Sequence, residues 1–315
     1  MDDRPPDRTD IDAAAARISR RIRRTPVIDL DAGALGLDRD LVLKLELLQH
    51  TGSFKPRGAF NRVLSAQVPD AGLVAASGGN HGLAVAHVAR TLGVPAEVFV
   101  PTASSAVKVA RLRSYGVRVV VGGDYYADAY AASAERARET GALVVHAYEG
   151  TATVAGQGTV ARELEEQRPD VDTVLVACGG GGLVGGIASW YGRRARVVSV
   201  EPERIPTLAA AVEHGAPVDV DVSGVASDSL GARRLGTTSF RSVVAAGVLP
   251  VLVPDAAILD ARQRLWDDVR IAAEAGGATA VAALTSGAYR PAPGERVAVV
   301  VCGANTDPRD LVPEA

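Results

Sequence analysis

Cysteine is scarce in this chain of 315 residues, which has only Cys178 and Cys302. Both lie within apolar runs and neither has a second cysteine nearby, so the sequence excludes a disulfide scaffold and a cysteine-based metal site. The five histidines also lack the spacing of metal ligands, and we expect no bound metal. Free thiols are typical of a reducing compartment, which predicts a cytoplasmic location.

No apolar run approaches the roughly 18 residues of a membrane span, and the polar, proline-containing start of the chain has no signal-peptide core. The 34 basic and 37 acidic residues give a net charge of −3, which argues against nucleic acid or a membrane surface as partner. A run of arginines between residues 17 and 24 contains no interleaved aromatic residue and is interpreted as a solvated surface. The expected partner is therefore a small molecule.

Short apolar segments typical of strands alternate with longer segments typical of helices from residue 73 to residue 302. This alternation predicts an α/β fold with mostly parallel sheets flanked by helices. There are two such runs, so two α/β layers are expected. The segment 216–239 is rich in glycine and serine and is predicted to be irregular. Because ligands of parallel sheets bind beyond the carboxyl ends of the strands, the loops that follow strands are the candidate site.

Lys55 lies in the stretch Thr51-Gly52-Ser53-Phe54-Lys55-Pro56-Arg57-Gly58-Ala59, after a strand predicted over 41–48. Pro56 disfavours the helical conformation at Lys55 and is itself tolerated in a first helical turn, which places the lysine just before a helix. A positive charge is disfavoured at that end of a helix, so the neutral amine or a carbonyl adduct forms more easily. This is the chemistry that a Schiff-base lysine requires.

The loop Cys178-Gly179-Gly180-Gly181-Gly182-Leu183 follows a predicted strand and opens a predicted helix. Backbone N–H groups and the helix dipole at such a place favour a phosphate group. Gly180, Gly182 and Gly185 also match the dinucleotide fingerprint, and Glu201 ends the next strand where a ribose-binding acid would lie. An NAD-dependent oxidoreductase is therefore an alternative at this point.

Two further loops carry polar groups. In Ser77-Gly78-Gly79-Asn80-His81-Gly82, Asn80 can cap the following helix or donate a hydrogen bond to a phenolate-like oxygen, and the loop can hold a carboxylate. Cys302 ends the last strand, where its thiol can face a ring nitrogen or simply complete the core. Neither loop decides between its two interpretations.

Together these motifs resemble the serine/threonine dehydratases, which belong with serine racemase to the fold type II family of pyridoxal-phosphate enzymes. The resemblance covers nearly the whole chain in the same order. It implies that pyridoxal 5'-phosphate is bound covalently by Lys55, and that Lys55 is the catalytic residue. The further cofactor-binding residues that it implies are Phe54 beside the ring, Asn80 at the ring hydroxyl, Gly179, Gly180, Gly181, Gly182 and Leu183 at the phosphate, Gly231 near the ring and Cys302 at the ring nitrogen. The implied substrate-binding residues are Ser77, Gly78, Gly79, Asn80, His81 and Tyr148.

The resemblance also implies a large cofactor-binding domain of residues 1–71 and 149–315, a mobile small domain of residues 72–148, and a homodimer. The implied reaction is β-elimination from L-serine or L-threonine-like β-hydroxy amino acids, which gives a 2-oxo acid and ammonia. Because a thiol cannot stabilise a protonated ring nitrogen as a carboxylate would, Cys302 favours prompt elimination. An aromatic wall at Tyr148 is expected to favour small substrates.

Two departures from the family pattern qualify this prediction. Gly78 stands where racemase-like members have a second serine, so weak racemisation is expected. Thr207 stands where some relatives have a second metal-binding acid, although Glu201 and Ile205 are retained. An amino-acid racemase, or a lyase for a bulkier or acidic substrate, remains an alternative.

Overall fold

The computed structural model describes residues 3–311, whose regular elements form two β-sheets with helices packed on each. The strands are β1 (Val27–Leu30), β2 (Leu41–Lys44), β3 (Leu73–Ala76), β4 (Ala96–Val100), β5 (Arg118–Val121), β6 (Leu143–Val144), β7 (Thr173–Ala177), β8 (Arg196–Pro202), β9 (Leu249–Val253) and β10 (Val297–Val300). The helices are α1 (Arg8–Ile18), α2 (Lys55–Leu64), α3 (Asn80–Leu92), α4 (Ala106–Arg113), α5 (Tyr126–Thr140), α6 (Thr151–Gln167), α7 (Gly182–Tyr191), α8 (Thr207–His214), α9 (Ser227–Leu230), α10 (Thr237–Ala246), α11 (Asp255–Val269) and α12 (Ala275–Thr285). None of these helices is long and apolar enough to cross a bilayer.

The larger sheet has six strands in the order β1-β2-β10-β7-β8-β9. Every neighbouring pair is parallel except β1 with β2. Strands β2, β7 and β10 are buried along their whole length, as expected for a parallel sheet covered on both faces. Helices α7 and α12 both pack against β7 and β8.

The smaller sheet has four parallel strands in the order β5-β4-β3-β6. Helices α3 and α5 pack against β3 and β4, and their apolar side chains form separate clusters from those of the larger sheet. The predicted α/β architecture with mostly parallel sheets is thus confirmed.

The sequence-based boundaries around Lys55 are wrong in two respects. Strand β2 ends at Lys44 rather than near residue 48, because two 3₁₀ turns, Glu46–Leu48 and His50–Gly52, follow it. Lys55 is the first residue of α2 rather than an extended residue before it. The conformational bias that Pro56 imposes is only a preference, and the tertiary structure overrides it. The lysine therefore lies even closer to the positive end of the helix dipole than the sequence predicted.

The segment 216–239 is less irregular than predicted, because it contains α9 and the beginning of α10. The sequence pattern did not reveal α10. Its N-terminus is held by Glu149, whose carboxylate accepts hydrogen bonds from the Thr237 and Thr238 N–H groups at 2.6 and 3.4 Å. A cap supplied from 88 residues away in the chain leaves no local sequence signal.

A buried ion network holds α2 in place against the larger sheet. The Arg57 guanidinium, which is 0 % exposed, donates to Glu46 at 2.7 and 2.8 Å and to Glu163 at 3.2 Å. Lys44 donates to the same Glu163 carboxylate at 2.5 Å. Two cations and two carboxylates compensate each other away from solvent, as buried charges require. The network fixes the position of the helix that begins at Lys55.

Arg57→Met is therefore expected to destabilise the protein by about 3 to 5 kcal/mol, because it leaves two buried carboxylates facing one cation. The urea midpoint and the melting temperature measure this loss. Arg24→Gln is the control, since its 2.7 Å pair with Glu166 is largely exposed and is worth at most about 1 kcal/mol. Equal stability of the two variants would show that the buried network contributes no more than a surface pair.

Candidate active site

Three of the loops singled out in the sequence meet at one edge of the larger sheet. Neighbouring β2, β10 and β7 are parallel, so the segments that follow them emerge on the same side. Ser53 pairs with Gly303 in an isolated bridge, and the Phe54 N–H donates to the Cys302 carbonyl at 3.2 Å. The lysine segment is thereby fixed beside the end of the last strand.

The Lys55 amine lies inside this edge. Its Nζ donates to the Ala147 carbonyl at 3.0 Å and lies 5.1 Å from the centroid of the Phe54 ring. Burial lowers the pKa of Lys55 to about 8, and the neighbouring Cys302 and Glu274 oppose this shift. A substantial fraction of the amine is therefore neutral near physiological pH, which makes it suited to attack a carbonyl or to accept a proton.

The glycine-rich loop after β7 presents backbone donors. Gly181 has φ of +89°, a conformation that favours glycine, as the chain turns into α7. The Gly185 N–H donates to the Gly181 carbonyl at 2.7 Å, so the N–H groups of Gly182, Leu183 and Val184 have no acceptor within the helix. These donors and the helix dipole form a site for an anion.

The surroundings of this loop fit a phosphate group. A Cβ atom at Gly180 would lie 2.3 Å from the Tyr148 ring, and one at Gly185 would lie 2.8 Å from the Ser239 hydroxyl. The hydroxyls of Ser239 and Thr238 are buried, and neither has a hydrogen-bond partner within residues 3–311. Unsatisfied buried hydroxyls are costly. A phosphate group bound at the loop would provide acceptors for them.

Asn80 reaches from the smaller sheet into the same site. It is the first residue of α3, and Gly79 takes the N-cap position, so Asn80 is not the cap of its own helix. Its Nδ2 donates to Glu274 at 2.6 Å, and its Oδ1 accepts from Asn305 Nδ2 at 2.5 Å. Of the two interpretations of Asn80, the structure excludes the N-cap.

Cys302 is buried at the end of β10, and its thiol donates to the Gly276 carbonyl at 3.4 Å. Burial raises the pKa of this thiol, and the nearby Glu274 charge raises it further, while Lys55 lowers it. The thiol thus remains protonated and uncharged at physiological pH. A ligand that binds beside Cys302 therefore meets an uncharged thiol.

The loop before α3 is ordered by its own polar groups. The Gly79 N–H donates to Ser77 Oγ at 3.2 Å, and a Cβ atom on Gly78 would lie 3.1 Å from the Ser104 hydroxyl. His81 is buried, and its Nε2 donates to the Val145 carbonyl at 2.7 Å. Burial lowers the pKa of His81 to about 3, helped by the Lys55 charge, so the imidazole is neutral. Its hydrogen bond to Val145 holds the ring in the packing of the loop.

The remaining predicted residues lie around the glycine loop. A Cβ atom on Gly179 would come within 2.8 Å of the Leu230 carbonyl, and Gly231 follows Leu230 at the end of α9. A Cβ atom on Gly231 would lie 2.0 Å from the Ser227 carbonyl oxygen. Tyr148 packs edge-to-face on His146, with ring centroids 4.8 Å apart. The contacts of Gly179 with Leu230 and of Gly180 with Tyr148 place these residues against the glycine loop.

The position of the candidate metal acid Glu201 has a structural explanation. Its carboxylate accepts hydrogen bonds from Thr207 Oγ1 at 3.0 Å and from the Leu208 and Ala209 N–H groups at 2.7 and 2.9 Å, so it caps α8. Within residues 3–311 no cluster of three or more potential metal ligands is found.

Four residues of the site were missed in the sequence analysis: Thr238, Ser239, Glu274 and Asn305. Glu274 and Asn305 reach Asn80 across 194 and 225 positions of the chain. Asn305 lies three residues after Cys302, in the loop after the last strand, whereas Glu274 lies in no motif. The run Thr237-Thr238-Ser239 indicated a group of hydroxyl donors, but it did not indicate the start of α10, which has no side-chain cap of its own.

The model of the family described as pyridoxal-phosphate dependent enzyme matches residues 18–303. The L-threonine ammonia-lyase of Thermotoga maritima is 34% identical over 85% of this chain and 68% of its own length. The phenylserine dehydratase of Ralstonia pickettii is 34% identical over 96% of this chain and 94% of its own length. Among solved structures, maize serine racemase superposes with a TM-score of 0.90 at 30% identity, covering 98% of this chain and 96% of that one.

Proposed function

The chain belongs to the family of pyridoxal-phosphate dependent enzymes, and from this premise we propose that it eliminates water from a β-hydroxy amino acid such as L-serine or L-threonine. The products are a 2-oxo acid and ammonia. One observation carries the proposal: the Lys55 amine donates to the Ala147 carbonyl, the glycine loop packs against the adjacent Tyr148, and the lysine segment is bonded to Cys302. The relatives that are named as threonine ammonia-lyase and phenylserine dehydratase both support a lyase.

The residues of the site fit pyridoxal phosphate. In this proposal the N–H groups of Gly182 and Leu183 and the hydroxyls of Thr238 and Ser239 bind the phosphate group. Lys55 binds the cofactor covalently. When bound, the cofactor supplies an electron-withdrawing ring that acidifies the α-C–H bond of the substrate.

The Lys55 amine is the group proposed to accept the α-proton, because its pKa of about 8 leaves a neutral fraction available at physiological pH. The neighbouring Phe54 ring covers the amine. Phe54, Gly231 and Cys302 complete the proposed cofactor site.

The substrate carboxylate is proposed to bind at the loop 77–81, where the N-terminus of α3 favours an anion. Ser77, Gly78, Gly79, Asn80 and His81 would contribute mainly through the backbone, since the His81 imidazole is occupied by Val145. Tyr148, which lies against the glycine loop, is proposed as the wall beside the substrate.

The proposal includes a large domain of residues 1–71 and 149–315 and a mobile small domain of residues 72–148, which corresponds to the smaller sheet. The ends of the large domain lie outside the described residues. An ion pair between Lys108 and Asp228 joins the two parts and would open when they separate. A cytoplasmic homodimer also belongs to this proposal, and the two buried, free cysteines are compatible with a reducing compartment.

A panel of L- and D-amino acids with different β-substituents tests the proposed reaction, with 2-oxo acid formation as the measurement. Both L-serine and L-threonine should turn over, with a preference no greater than roughly two hundredfold, because one methyl group in an apolar pocket is worth only about 1 to 3 kcal/mol. The panel should include β-phenyl and β-carboxyl substrates.

Other outcomes of the panel would support a different function. Activity on β-phenylserine with none on serine or threonine would refute the small-substrate proposal. The half-exposed Tyr126 and Tyr130, which stack with ring centroids 6.3 Å apart near His146 and Tyr148, provide the aromatic surface that such a substrate would contact. Substantial D-serine formation would instead support a racemase despite Gly78.

A further inference from the structure

Glu274 is a buried carboxyl group in the candidate site that belongs to none of the sequence motifs. It immediately precedes α12, and its N–H donates to the Gly303 carbonyl at 3.1 Å. A Cβ atom on Gly303 would lie only 1.9 Å from Glu274 Oε1, so glycine at 303 provides the space for the carboxyl group. A carboxyl group that is buried in this way needs polar partners to offset the loss of water.

The polar partners of Glu274 fix the orientation of Asn80. Glu274 accepts from Asn80 Nδ2 at 2.6 Å, while Asn305 Nδ2 donates to Asn80 Oδ1 at 2.5 Å and to the Thr51 carbonyl at 2.8 Å. If the Asn80 amide were reversed, its oxygen would face the Glu274 carboxyl group and its NH₂ group would face that of Asn305. Asn80 therefore keeps one N–H group on Glu274 and a second available for a ligand.

Glu274 also contributes to the charge around Lys55. Its charge raises the pKa of Lys55, which burial has lowered. Burial raises the pKa of Glu274 itself to about 7; the Asn80 hydrogen bond lowers it, Asp228 raises it, and Lys55 lowers it. The Cys302 thiol faces both groups and is uncharged, and Asp228 is paired with Lys108. Glu274 and Lys55 thus change their charges in the same range of pH.

We propose that Glu274 is a positioning residue for the elimination reaction: it orients Asn80 and, through its charge, sets how readily Lys55 gives up its proton. With an ionised Glu274, the ammonium form of Lys55 is favoured. With a protonated Glu274, the neutral amine is favoured. The proposal rests on the proposed function only for the identity of the reaction, since these contacts do not involve the substrate.

Glu274→Gln tests the effect on charge, because it removes the ionisable group and keeps the shape of the side chain. In the cofactor-free full chain, the pH dependence of Lys55 acylation by acetic anhydride is followed by peptide mass spectrometry, and the midpoint should move to lower pH by on the order of one unit. In the holoenzyme, the pH dependence of the visible cofactor absorbance should also move. The chain has only three lysines, Lys44, Lys55 and Lys108, so the acylated peptides are easily distinguished.

Glu201→Gln is the matched control, because Glu201 is another buried acid whose pKa burial raises to about 7. It contacts neither Lys55 nor Asn80, and its hydrogen bonds go to α8. This variant should leave the acylation midpoint of Lys55 unchanged, even if its melting temperature falls.

Glu274→Asp separates charge from position and serves if Glu274→Gln does not fold. This variant should keep the acylation midpoint of Lys55 near that of the wild-type protein. Its shorter side chain should lose the hydrogen bond from Asn80 and lower kcat. Unchanged Lys55 midpoints and absorbance profiles in Glu274→Gln, with only a lower melting temperature, would overturn the proposal and leave Glu274 a structural residue. A wild-type protein inactive on every amino acid tested would refute the proposed function, yet the Lys55 titration would still decide this inference.

Discussion

Lys55→Ala should lower 2-oxo acid formation by on the order of a thousandfold or more, because it removes the amine that binds the cofactor and accepts the α-proton. The same variant should lose the visible absorbance band near roughly 410 to 420 nm that a covalent link between cofactor and lysine produces. In the wild-type protein, borohydride should fix the cofactor permanently to Lys55, as peptide mapping can show.

The small number of lysines makes this result clear-cut. Lys44 is buried in the ion network with Glu163, and Lys108 pairs with Asp228, so neither amine is free in the site. Lys108→Gln is the control variant and should still carry the label on Lys55. A label on Lys44 or Lys108, or full turnover by Lys55→Ala, would contradict the assignment of Lys55.

Cys302→Asp should slow elimination by more than tenfold and increase side reactions such as transamination. The introduced carboxyl group would lie near the charge of Glu274, which already raises the pKa of the Cys302 thiol. A second anion is tolerated there only if a proton is shared with a neighbour, and the cofactor ring nitrogen is the neighbour that the proposed site supplies. Steady-state rates and the yield of transamination product measure both effects.

Cys302→Ser is the matched control for this change, since a hydroxyl group is neutral and of similar size. It should retain elimination to within about tenfold, because it can still donate a hydrogen bond to the Gly276 carbonyl. Wild-type behaviour of Cys302→Asp would show that residue 302 is not next to the ring nitrogen.

The sequence was sufficient for most of the fold because its elements are locally encoded. From residue 73 onward, helices and strands alternate as the apolar pattern predicts, for example α3 (Asn80–Leu92) followed by β4 (Ala96–Val100). Around Lys55 the apolar pattern and local preferences predicted the wrong boundaries. Pro56 disfavours a helical Lys55, but the buried ion pairs of Arg57 stabilise α2 more strongly than this local preference opposes it. Helix α10 was missed because its cap, Glu149, comes from another part of the chain.

By itself, the sequence indicated the type of chemistry: a lysine at a helix start, a glycine loop suited to a phosphate group and an asparagine loop. Only the tertiary structure decided how these groups act on one another. The order β2-β10-β7 brings Lys55, Cys302 and the glycine loop to one edge, and the contact between Asn80 and Glu274 spans 194 residues. Strand order and long-range hydrogen bonds leave no periodic signal in the chain. Burial lowers the pKa of Lys55 and raises that of Glu274, and these side chains are buried only once the chain has folded.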